Sequence, residues 1–93
     1  MRQWLRRWIR VGTVSQKLAQ SESQTWEDNK EDPDFPDPIR PGPRMTVWDE
    51  LEIDAYMIRK MAARDNIKAE DLEAYVEKHL ARQWRIAALA EAS

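Results

Sequence analysis

The chain of 93 residues contains no cysteine, and its only histidine is His79. The first absence excludes disulfides and thiolate metal sites. The second leaves no histidine cluster for zinc, and no carboxylates are arranged around His79 to complete one. Glycine is limited to Gly12 and Gly42, too far apart to cradle a phosphate. No apolar run is long enough to span a membrane. The opening MRQWLRRWIRV lacks the apolar core and the small-residue cleavage site of a secretory signal. The expectations that follow are a cytoplasmic protein with no cofactor, no metal and no membrane partner. Nor is there a recognisable nucleophile with its base. The densest carboxylates, Glu27, Asp28, Glu31, Asp32, Asp34 and Asp37, lack the glycine and terminal Glu of a calcium loop. They read as a solvated acidic loop, and no catalytic residue is expected.

What is present is unevenly placed. The length suits one domain, and a hydrophobic fraction of 42% supports a core beneath a surface rich in charge. The five tryptophans are many for so short a chain. Trp26 and Trp48 are expected in the core, while Trp4 and Trp8 have no obvious place in it and suit a subunit contact. Net charge is −2, but residues 1–20 hold Arg2, Arg6, Arg7, Arg10 and Lys17 with no acid. Residues 21–38 hold seven acids against Lys30 alone. Residues 39–48 carry only Arg40 and Arg44. Positive charge therefore gathers at the N-terminus and in one later segment, a modest electrostatic footprint for a polyanion.

The first eleven residues form a basic arm that fits either a helix, with Trp4 and Trp8 four apart, or a strand. Thr13 followed by Gln16, and Ser21 followed by Gln24, are capping-box patterns. They predict a helix TVSQKLAQ burying Val14 and Leu18, then a second from about Glu22 to Lys30 burying Trp26. Two short helices joined by a three-residue turn, over 13–31, have the layout of a helix-turn-helix. All five prolines lie in DPDFPDPIRPGP, which admits no helix. Phe35 and Ile39 anchor this stretch, and Pro38, Pro41, Gly42 and Pro43 fold it into a turn bracketed by Arg40 and Arg44. With the strand-like MTVW that follows, residues 35–48 read as a hairpin with a basic tip, a wing. Asp49 and Glu52 then mark a helix start. That helix, 49–65, carries Leu51, Ala55, Ile58 and Ala62 on one stripe, and a last helix, 69–90, carries Leu72, Val76, Leu80 and Ala87. The fold class expected is mainly α with a small β-hairpin wing: one winged helix-turn-helix domain with an extra C-terminal helix.

The segment Phe35, Pro36, Pro38, Ile39, Arg40, Gly42, Arg44, Trp48, Asp49, Glu52, Ile53 and Tyr56 resembles the small excisionase and AlpA-type regulators of phages and mobile elements. These are a MerR-like winged helix-turn-helix group. The resemblance runs from about residue 9 to 65 and is strongest over 33–56. It implies binding to double-stranded DNA, with the second helix in the major groove. Ser21, Ser23, Gln24, Thr25, Asn29 and Lys30 would then touch DNA, and Arg40 and Arg44 would contact its backbone from the wing. Arg6, Arg7 and Arg10 of the arm would add a backbone or subunit contact. Glu22, Glu27, Asp28 and Glu31 would repel phosphate unless they face away or read cytosine amino groups.

Four roles remain open on these residues. An excisionase-like accessory factor would self-associate on attachment-site DNA, bend it, and assist excision by a tyrosine or serine integrase. An AlpA-like transcriptional regulator would share the fold. A helical interaction module would have no need of arginines around a Pro–Gly turn. Membrane-surface attachment through MRQWLRRWIR ranks last, because the segment is short.

Overall fold

Helices stop on either side of the proline-rich stretch. The structure, a computed structural model, describes residues 7–92, with side chains through Gln83. Strand β1 (Trp8–Ile9) leads into helix α1 (Val11–Leu18) and helix α2 (Glu22–Glu31). Strands β2 (Ile39–Gly42) and β3 (Met45–Asp49) follow, then α3 (Glu50–Arg64), a 3-10 turn (Ala69–Asp71) and α4 (Leu72–Ala92). The architecture is a mainly helical winged helix-turn-helix with an additional C-terminal helix. The chain clusters into two compact units, one ending at Tyr56 and the other starting at Met57, within α3.

In the first unit the strands form an antiparallel sheet in the order β1-β3-β2. Pro41 is accommodated because β2 lies at an edge, where a missing N–H breaks no ladder. Ile39 pairs with Val47 and Gly42 with Met45, so β2 takes three steps where β3 takes two. That extra residue is a bulge, which bends the strand and re-aims side chains beside Arg40. The turn itself is Pro43–Arg44, not the Pro–Gly pair. Gly42 has no positive φ, and a β-carbon added to it would sit 4.0 Å from the Met45 β-carbon, an ordinary contact.

Ile9, Val14, Phe35, Trp48, Ile53 and Tyr56 make the core, with Val11 and Leu18 against it. Trp48 is completely buried opposite Ile9, and its indole N–H donates to the Pro36 carbonyl at 3.2 Å. Phe35 meets Trp48 and Tyr56 edge-on, with ring centroids 6.4 and 5.0 Å away. The Tyr56 hydroxyl donates to Asp32 at 2.7 Å. Burial and this carboxylate partner both push the Tyr56 pKa up. These contacts pin the segment between α2 and β2, so Phe35 belongs to the core and the hairpin begins only at Ile39.

Three local expectations are corrected. Trp26 is 40% exposed, although its ring packs tilted at 54° on Trp48, with 5.3 Å between centroids. Helix α1 starts at Val11 with Arg10 as its N-cap and no side-chain cap bond, so Thr13 lies inside the helix. It ends two residues early, as Ala19 takes a left-handed conformation (φ 55°). There Gln20 N–H reaches Ser15 O and Ala19 N–H reaches Gln16 O, a Schellman closure at which glycine is the usual residue. The Ser21 cap holds, since Ser21 Oγ accepts from Gln24 N–H at 3.1 Å, but the Gln24 side chain turns to Asp28 instead of back to the cap. Asp49 Oδ1 accepts from Leu51 N–H at 2.9 Å and opens α3.

In the second unit, Ile58, Ala62, Val76 and Leu80 are buried. Asn66 (φ 58°) closes α3, with Ile67 N–H on Ala62 O at 3.0 Å. Asp65 accepts from Arg64 at 2.9 Å and from the Tyr75 hydroxyl at 3.1 Å, and both contacts hold its pKa down. Trp84 and Ala87 lie outside the described side chains.

Candidate nucleic-acid interface

Helix α2 is oriented by its one buried residue. Thr25 is fully buried, and its hydroxyl shares a 2.8 Å hydrogen bond with Ser15 of α1. It also donates to Ser21 O at 3.1 Å and accepts from Gln20 at 3.2 Å. Thr25 is therefore the hinge pin between the two helices, and no DNA base can reach it. Its neighbours Ser23 and Glu27 lie about 200° away around the helix in either direction, with Lys30 about 20° beyond Ser23, and all are exposed. Ser21 is occupied as the cap. Gln24 lies on the flank with its amide held by Asp28 at 2.8 Å. The outermost line is thus Ser23, Glu27 and Lys30. The sequence points to Ser23 and Lys30 as contacts and leaves Glu27 either repelling phosphate, facing away or reading cytosine. The four-residue spacing from Ser23 to Glu27 was the available signal, but only the burial of Thr25 says which stripe faces out. The Glu31 carboxylate, able to accept a hydrogen bond from the Glu27 carboxyl and repelling its ionised form, raises the Glu27 pKa.

Arg40 and Arg44 are both exposed on the β2–β3 hairpin, one beside the bulge and one in the turn. They are the hairpin's only cations. Arg10, also exposed, precedes α1. Arg7 is partly committed elsewhere. Its guanidinium grips both oxygens of Glu50 at 2.8 and 3.1 Å, and its carbonyl accepts from Glu50 N–H at 2.9 Å. Arg6 lies outside the described residues.

Lys17 is likewise drawn inward. Its ammonium lies 3.1 Å from Glu50 and 2.9 Å from Asp54. Burial alone would lower its pKa, but the two carboxylates outweigh that and raise it. Asp54 is the most deeply buried of the group, and its Oδ1 has no hydrogen bond of good geometry. Desolvation accordingly lifts its pKa, only partly offset by Lys17. Glu50 feels the same burial, but Arg7 and Lys17 together pull its pKa below the usual value. The cluster joins the residue before β1 and helix α1 to the start of α3, and so ties the helix-turn-helix to that helix. No group of histidines and carboxylates among the described residues has the arrangement of a metal site. No helix among them is long and apolar enough to cross a membrane.

The family model of the prophage CP4-57 regulatory protein (AlpA) matches residues 7–61, which spans β1, both helices of the helix-turn-helix, the hairpin and most of α3. Comparison with curated proteins and with solved structures finds no match.

Proposed function

This chain belongs to the AlpA family of prophage regulatory proteins, a family of DNA-binding regulators, and we propose that it binds duplex DNA through α2 and the β2–β3 hairpin to control genes of a phage or mobile element. The observation that carries the reading is the hairpin beside the helix-turn-helix, with exposed Arg40 and Arg44 and no acid between them. Arginines so placed neutralise phosphates and fix the protein's register on the duplex, while side chains of a helix in the groove read bases. The protein performs no chemistry on the DNA in this account.

A finer role is supported by how few free cations the helix-turn-helix and hairpin offer among the described residues. Arg10, Arg40 and Arg44 face a polyanion while α2 adds Glu22, Glu27, Asp28 and Glu31 against Lys30. Weak single copies bind well when neighbours load together. That favours self-association on repeated sites and an accessory, excisionase-like action that bends attachment-site DNA for an integrase. A gel-shift titration on the attachment-site DNA of its own element tests both levels. Binding with salt-sensitive affinity supports the regulator. Cooperative multi-site loading, with stimulation of excision in a reconstituted integrase reaction, supports the finer role. Failure to shift duplex DNA at low salt contradicts both.

A further inference from the structure

An acidic helix aimed at DNA is costly on almost every sequence, so the carboxylate at its centre needs a compensating contact. Glu27 occupies that centre. It lies opposite buried Thr25 and between exposed Ser23 and Lys30 on the outward line of α2. We infer, resting on the reading that α2 enters the major groove, that Glu27 selects cytosine by accepting a hydrogen bond from its N4 amino group.

A carboxylate can only accept. In the major groove guanine presents two acceptors, N7 and O6, and thymine presents O4 beside a methyl group. Adenine sets its N6 donor next to the N7 acceptor, while cytosine alone offers an amino group with no acceptor on the same base. Glu27 is therefore repelled by phosphates, guanine and thymine, only partly matched by adenine, and satisfied by cytosine. Selection of this kind works by penalising the wrong partners. Glu31 lies one turn on and is exposed as well. Lys30 supplies the neighbouring positive charge.

The test is selection of bound duplexes from a randomised library with the full chain and with Glu27→Gln and Glu27→Ala. Glu27 is exposed, so both variants should keep the wild-type circular dichroism spectrum. The wild type should enrich cytosine at one position. Glu27→Gln should move that position to adenine, whose N6 and N7 match an amide. Glu27→Ala should lose the preference there and bind scrambled duplex more tightly than the wild type. Replacing the selected cytosine by thymine should weaken wild-type binding roughly 5- to 150-fold and leave Glu27→Ala unaffected. An identical enriched motif in all three proteins would overturn the inference. So would wild-type binding without any enrichment, which leaves DNA binding itself intact. No binding to any duplex would remove the functional reading and this inference with it.

Discussion

Replacing Lys17 by methionine separates a scaffold cation from a DNA contact. The thioether keeps the aliphatic stem and removes the charge that lies 3.1 Å from Glu50 and 2.9 Å from Asp54. Arg7 still serves Glu50, but Asp54 is left as a buried carboxylate without its cation. Removing one partner of a buried pair costs about 3–5 kcal/mol. Lys17 retains 23% side-chain exposure, which puts the expected loss at the lower end, about 3 kcal/mol. For a domain of this size each kcal/mol moves Tm by roughly 4–8 °C, so the midpoint should fall by on the order of 12–24 °C at pH 7. The loss should shrink as the pH drops. Asp54 already has a raised folded pKa, and losing Lys17 raises it further. The folded variant then binds more protons than the unfolded chain, and its stability rises on acidification. In the wild type Glu50 runs the other way. Its depressed folded pKa gives stability that is present above the ordinary carboxylate value and is lost as pH falls through the depressed one. Thermal melts at pH 7 and pH 4 should therefore show a wide gap that narrows. A gap independent of pH would mean that the methionine packs badly and the charge pairing is irrelevant. Unchanged melts with weakened DNA binding would make Lys17 a phosphate contact and refute its scaffold role.

Thr25→Val should cost about 1 kcal/mol in urea unfolding, since Ser21 O and Ser15 Oγ keep other partners, and should leave base preference unchanged. Lost preference with full stability would restore Thr25 as a reader of bases. Ala19→Gly should raise Tm, because the left-handed backbone at φ 55° costs alanine about 1 kcal/mol that glycine avoids. Gly42→Ala should be neutral or gain about 0.4–1 kcal/mol, given its ordinary φ and the open 4.0 Å contact, and a marked loss would mean that the hairpin needs the glycine after all.

The elements most legible in the sequence were those set by turn chemistry and strong periodicity. The Ser21 cap, the two short helices, the hairpin near Arg40 and Arg44, and the Asp49 helix start all follow from local signals that tertiary packing reinforces. What the residues could not show was rotation. Whether Thr25 or Glu27 faces outward depends on a hydroxyl pair formed with Ser15 ten residues away. Trp26 illustrates the same limit, because it packs tilted against Trp48 and still remains 40% exposed. The start of α1 escaped because Arg10 caps it through backbone geometry alone, with no side-chain signature. Arg7 and Lys17 read as part of a basic N-terminal surface, yet both point charge at Glu50, a long-range pairing invisible to charge counting.

The central claim is that the hairpin holds the DNA backbone, and the salt dependence of binding tests it most directly. The affinity of the wild type and of the Arg40→Ala/Arg44→Ala double variant for one duplex should be measured across a salt series by fluorescence anisotropy. Each lost phosphate contact lowers the slope of log K against log salt by about 0.9. The double variant should bind more weakly, with a slope shallower by about 1.8 and an unaltered circular dichroism spectrum. Equal affinity and equal slope in a folded double variant would contradict the claim.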